Sequence, residues 1–73
     1  MSEEKGMTGR IKFFSKFKGW GFIVGEDGRD YFVHNSSIVP RYKWIPQPDE
    51  QVKFDLELSP KGLQAINVKR LER

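Results

Sequence analysis

Cysteine is absent from the 73-residue chain, which excludes a disulfide framework, a thiol nucleophile and any cysteine-ligated zinc site. A domain this small without such staples must hold together by packing alone, and its composition fits a reducing compartment. His34 is the only histidine, so it has no partner for a metal pair or a catalytic His–acid arrangement. No phosphate-binding loop of the Walker kind is present, so neither ATP hydrolysis nor a cofactor is expected. Long apolar runs are missing too: the longest are Phe22–Val24 and Tyr31–Val33, far too short to span a bilayer. The polar start Met1-Ser2-Glu3-Glu4-Lys5 shows no signal peptide. These absences describe a soluble, cytoplasmic, single-domain protein, expected to be monomeric and to bind neither metal nor membrane.

Apolar residues are scarce, at 37% against a usual share near half. A chain of this length also buries only about 60% of its unfolded surface. Yet the aromatic share is 14%, supplied by six Phe, two Trp and two Tyr, more than so thin a core requires. Thirteen Lys+Arg face ten Asp+Glu, for a net charge of +3 and a pI near 9.4. The positive charge is concentrated. Lys5, Arg10, Lys12, Lys16 and Lys18 precede Val24 with no acid among them, a one-sided run on an otherwise mixed chain.

The apolar residues alternate with the period of strands rather than of helices. Val52, Phe54, Leu56 and Leu58 form one stripe. Ile66, Val68 and, past a bend, Leu71 form another. Trp20, Phe22 and Val24 alternate with Gly21, Ile23 and Gly25, and Phe32 and His34 with Tyr31 and Val33. A fifth strand is expected over Thr8 to Phe14, with Ile11 inward, after a mobile tail at residues 1–6. Turns are marked by Lys18-Gly19, Pro60-Lys61-Gly62 and, most sharply, Glu26-Asp27-Gly28-Arg29, where glycine supplies the positive φ of a tight hairpin. The connection from Ile38 to Asp49 carries three prolines, which argue against a helix. Five short strands and no amphipathic helix predict an all-β fold, a five-stranded antiparallel barrel of the OB kind, which leaves no exposed edge.

Lys18-Gly19-Trp20-Gly21-Phe22-Ile23 is close to the Lys/Arg-Gly-aromatic-Gly/Ala-Phe-aliphatic pattern of nucleic-acid-binding sheets. Residues two apart on a strand project from one face, so Trp20 and Phe22 lie side by side with Gly21 leaving the other side uncrowded. Such rings stack unpaired bases with little regard to sequence. Paired aromatics in a strand are more often core, but here Ile23 and Val24 already supply inward bulk. If the Asp27-Gly28 hairpin joins the two strands, Phe32 and His34 join Trp20 and Phe22 on one patch, with Phe13 beside it. Basic Arg10, Lys12, Lys16 and Lys18 surround that patch. Phe14 must face away from Phe13, into the core. Phe17, in the turn before Lys18, is open to either role. Asp27 and Asp30 fit hairpin chemistry better than a carboxylate pair.

Three stretches, Met7-Thr8-Gly9-Arg10-Ile11-Lys12-Phe13-Phe14, Lys18 to Ile23 and Asp30-Tyr31-Phe32-Val33-His34, together resemble the bacterial cold-shock proteins and the cold-shock domain. The resemblance runs from about Met7 to Val68, closing with Lys61-Gly62-Leu63-Gln64-Ala65-Ile66-Asn67-Val68. It places a single domain over residues 7–73. It implies an OB-type barrel that binds single-stranded RNA and DNA and acts as a nucleic-acid chaperone in transcription termination or translation. Carried over by position, it assigns Phe13, Trp20, Phe22, Phe32 and His34 to stacking, and Lys12, Lys18 and Lys61 to phosphates or base edges. Phe13 stands where the family usually has Trp, and Trp20 where it usually has Phe. Asn35 replaces a usual Phe, leaving a stacking partner missing or turned into a hydrogen-bonding group. The loop over 39–49 replaces a Gly-rich pattern, with Tyr42 or Trp44 to supply its aromatic.

Two other classes compete with nucleic-acid binding. A small SH3-like interaction barrel grips proline-rich ligands with aromatics but has no need of the basic fringe around Trp20. An enzyme such as a nuclease lacks convergent carboxylates or a His–acid pair. A four-stranded RRM shares the aromatic motif but requires helices that this chain does not supply.

Overall fold

The computed structural model describes residues 3–38, 45–60 and 62–71. Five strands follow one another: β1 (Glu3–Ser15), β2 (Trp20–Gly25), β3 (Asp30–His34), β4 (Gln51–Ser59) and β5 (Gly62–Arg70). A 3₁₀ turn, Asn35–Ser37, follows β3. The strands close into a barrel in the order β1-β2-β3-β5-β4, the five-stranded all-β architecture expected of an OB-type fold.

The barrel is not wholly antiparallel. β3 and β5 run parallel, with Phe32 opposite Gln64 and Val33 opposite Ala65, while the other four pairings are antiparallel. The reason is counting. Strand direction cannot alternate all the way round a ring with an odd number of members, so one pair of neighbours must point the same way.

β1 is long enough to serve two partners. Its first part pairs with β4 from Glu3 opposite Glu57 to Arg10 opposite Gln51, and its second part pairs with β2 from Gly9 opposite Gly25 to Ser15 opposite Trp20. The backbone of residues 3–6, expected as a mobile tail, is therefore part of the barrel. A register shift between Glu4 and Met7 accompanies the positive φ of Gly6, at 77°. The Gly6 N–H donates to Asp55 Oδ1 at 2.9 Å, satisfying a group that the irregularity frees from the ladder.

The core follows the alternation on β2, β3 and β4: Ile23, Tyr31 and Val33, and Val52, Phe54 and Leu56 are buried, joined by Ile11 and Ile38. β5 departs from it. Its buried residues are Ala65 and Val68, three apart, and Ile66, expected inward, is half-buried. Asn67 adopts a positive φ of 53°, and the β4–β5 register slips between Lys53 and Asp55. An extra residue of this kind moves the following side chains to the other face. Leu58 and Leu71, also expected inward, are 57% and 41% exposed, each at a strand end.

Candidate nucleic-acid interface

The outer face of β1–β3 carries the aromatic residues because of a second irregularity. By simple alternation Ile11 and Phe13 would share a face. Instead the register shifts between them, so Ile11 is buried opposite Ile23 while Phe13 stands opposite Phe22 and is 41% exposed. Phe14 then packs against the core, as expected. Gly21 makes this close approach feasible. A Cβ there would lie 2.2 Å from the Phe13 carbonyl oxygen and 2.6 Å from Phe14 Cα, distances no side chain tolerates.

The β2–β3 hairpin sets Phe22 opposite Phe32 and Trp20 opposite His34. Four rings meet as a result. Phe22 neighbours all the others, with centroids 5.8 Å from Phe13, 6.0 Å from Trp20 and 5.9 Å from Phe32. Phe13–Trp20 and Trp20–Phe32 close the cluster at 5.8 and 6.0 Å. These tilted and edge-on arrangements are the favoured ones for aromatic pairs. Trp20, Phe22 and Phe32 are half-buried, so each ring is braced by a neighbour and keeps part of its surface open to solvent.

The groups around the rings differ in what they offer. Lys18 Nζ lies 6.0 Å from the Trp20 ring, at the limit of a cation–π contact. Lys12, on the outward side of the register shift, is ion-paired to Asp30 Oδ2 at 2.8 Å. His34 Nδ1 accepts the Ser36 N–H at 3.2 Å and caps the 3₁₀ turn. That bond puts the proton of a neutral imidazole on Nε2. Asn35 sits at the edge of the cluster: its N–H donates to the Gly19 carbonyl at 2.8 Å, and its amide lies against Gly19. Trp44, Tyr42 and Lys61 lie outside the described residues.

The rings continue into a groove of about 630 Å³ whose walls include Phe32, His34, Ser36, Pro60, Leu63 and Gln64. Leu63, Gln64 and Pro60 were not among the sequence candidates. Their signal was the odd strand count, which forces a parallel pair and here sets β5 beside β3.

Asp27 belongs to the hairpin. Its carboxylate accepts the Tyr31 hydroxyl and the Arg29 N–H, and these bonds hold its pKa below the ordinary value. Among the described residues no three His, Cys, Asp or Glu side chains converge as a metal site, and no helix is long and apolar enough to cross a membrane.

The 'Cold-shock' DNA-binding domain pattern matches residues 7–71. The chain belongs to the cold-shock domain family. It is 47% identical over 66 residues to the cold shock-like protein CspC of Bacillus cereus, covering 89% of this chain and 100% of that one. Against cold shock protein 1 of Lactiplantibacillus plantarum the identity is 47% over 61 residues, covering 84% and 92%. The major cold shock protein of Micrococcus luteus is 44% identical over 65 residues, covering 88% and 97%. Among solved structures, drosophila Unr CSD456 superposes with a TM-score of 0.76 at 27% identity, covering 94% of this chain. The chain spans 28% of that longer protein. Cold-shock domains are nucleic-acid-binding modules rather than enzymes.

Proposed function

We propose that the Phe13–Trp20–Phe22–Phe32 cluster is a stacking surface for the unpaired bases of single-stranded RNA and DNA, with Lys18, Lys12 and His34 at its margin. The observation that carries this reading is the packing of four partly exposed rings within 6.0 Å of a neighbour beside a lysine. A face of this kind is costly to leave unused and offers each base about 1–3 kcal/mol of stacking with little sequence demand. The groove beyond Phe32 and His34 extends the path toward the β4–β5 turn, where Lys61 stands in the sequence. Asn35 would serve as a polar contact at the rim, and Trp44 as an aromatic from the long loop. Bound strands are withdrawn from base-pairing equilibria by mass action, the action of a nucleic-acid chaperone on transcripts; on this reading the protein works as a monomer in the cytoplasm. Titration with oligothymidine, followed by tryptophan fluorescence, tests the reading. Quenching that saturates at low salt and weakens with added salt is expected, and an unchanged signal with no binding in a parallel filter assay overturns it.

A further inference from the structure

Phe17 takes no part in the fold. It is 96% exposed, far more than any other large apolar side chain among the described residues, the next being Leu58 at 57%. It sits in the β1–β2 turn immediately beyond the Ser15–Trp20 pair, off the Trp20 end of the ring cluster. The turn that presents it is well tied. The Gly19 N–H donates to the Ser15 carbonyl at 2.7 Å, the Lys18 N–H to Ser15 Oγ at 3.1 Å, and the Gly19 carbonyl accepts the Asn35 N–H at 2.8 Å. Gly19 closes the turn with a φ of 79°. Exposed Lys16 and Lys18 flank the ring, and Lys18 reaches back toward Trp20.

We propose that Lys16-Phe17-Lys18 is an additional stacking subsite, taking one further unpaired base of a single strand that runs off the Trp20 end of the cluster. The inference rests on the stacking reading given above. Its chemistry matches the ligand: a nucleic-acid strand alternates phosphate, base, phosphate, and the turn alternates cation, ring, cation. The ring contributes nothing to folding, so its burial by a base is gained on binding alone. The tied backbone lowers the cost of ordering that contact. A lone ring between two lysines has no apolar surround to serve as the core of a protein interface, and its turn leaves the strands at the Ser15–Trp20 pair, where the ring cluster ends.

Oligonucleotide length separates this subsite from the main cluster. Wild-type protein and Phe17→Ala are titrated with oligothymidines of about four and about ten nucleotides, within the range of OB-fold site sizes. Phe17→Ala is expected to keep wild-type affinity for the short strand and to lose about 5- to 150-fold for the long one, the equivalent of one base–aromatic stack. Its thermal midpoint should match wild type. Lys16→Gln should make the salt slope shallower by roughly 0.7 with the long strand only, one phosphate contact's worth. Wild-type affinity of Phe17→Ala for the long strand overturns the proposal, and so does an equal loss on both lengths. If the wild-type protein binds neither strand, the stacking reading itself falls, and the subsite with it.

Discussion

Phe22 and Trp20 each neighbour the other three rings, and with Trp20 kept as the fluorescent reporter, Phe22 and Phe32 are the rings on which the stacking reading is tested. Phe22→Ala and Phe32→Ala are each expected to cost about 1–3 kcal/mol of binding in a fluorescence titration. Their unfolding free energies should fall by less than the about 3–5 kcal/mol typical of a fully buried Phe, because both rings are half-buried. Val52, wholly buried and remote from the rings in sequence and strand, gives the opposite signature: Val52→Ala lowers the urea midpoint and leaves the affinity of folded protein unchanged. The two lysines should also behave differently. Lys18 faces Trp20 without an acidic partner among the described contacts, so Lys18→Gln should flatten the plot of log affinity against log salt by roughly 0.7. Lys12 is neutralised by Asp30. Such an exposed pair contributes little to stability, and Asp30→Asn should release Lys12 and steepen the same plot by up to roughly 0.7.

At the scale of the element, the irregularity at Lys12 and the β2–β3 hairpin decide which side chains face outward. At Gly21 the backbone of β1 leaves no room for a side chain on β2, because a Cβ would meet the Phe13 carbonyl oxygen and Phe14 Cα. Gly21→Ala should destabilise the domain by about 1–3 kcal/mol, as overpacking generally does, and should weaken oligonucleotide binding even at temperatures where the variant stays folded. The hairpin carries a pH signature of its own. The Tyr31 hydroxyl, and after it the Arg29 N–H, hold the Asp27 carboxyl below its ordinary value of 3.8. A depressed folded value favours the folded state when the group is ionised. The contribution is therefore complete above about pH 3.8 and is lost as pH falls through the lower folded value. Thermal midpoints measured from neutral pH downward should show Asp27→Asn less stable than wild type near neutrality, with the gap closing in that acid window.

The whole molecule carries a net charge of only +3, so binding should depend on where the cations lie rather than on bulk attraction. With two or three phosphates neutralised, the salt slope for a single strand should be about −1.4 to −2.1, and a much steeper slope would point to cations beyond this face. The core is thin, with Phe54 the largest fully buried side chain among the described residues. Phe54→Ala should cost about 3–5 kcal/mol, a large share of the stability of so small a domain, and chemical denaturation measures it.

Alternation and turn chemistry were legible in the sequence wherever strands were regular. Ile23, Tyr31, Val33, Val52, Phe54 and Leu56 are buried because a pleated strand has a period of two and water expels one face. Asp27-Gly28 closes its hairpin because glycine alone adopts that positive φ, here 84°, without strain. The strand number and one aromatic face follow from these local rules. Three features do not. The expected inward Ile11 and outward Phe13 are reconciled only by the irregularity at Lys12, the one at Asn67 replaces Ile66 by Ala65 in the core, and the parallel β3–β5 pair brings Gln64 beside Phe32. Each arises from closing the barrel, which demands bends in strands and a like-pointing pair of neighbours, and closure is a condition on all five strands at once. A residue's immediate neighbours in sequence carry the period. Only the tertiary structure decides where that period is broken.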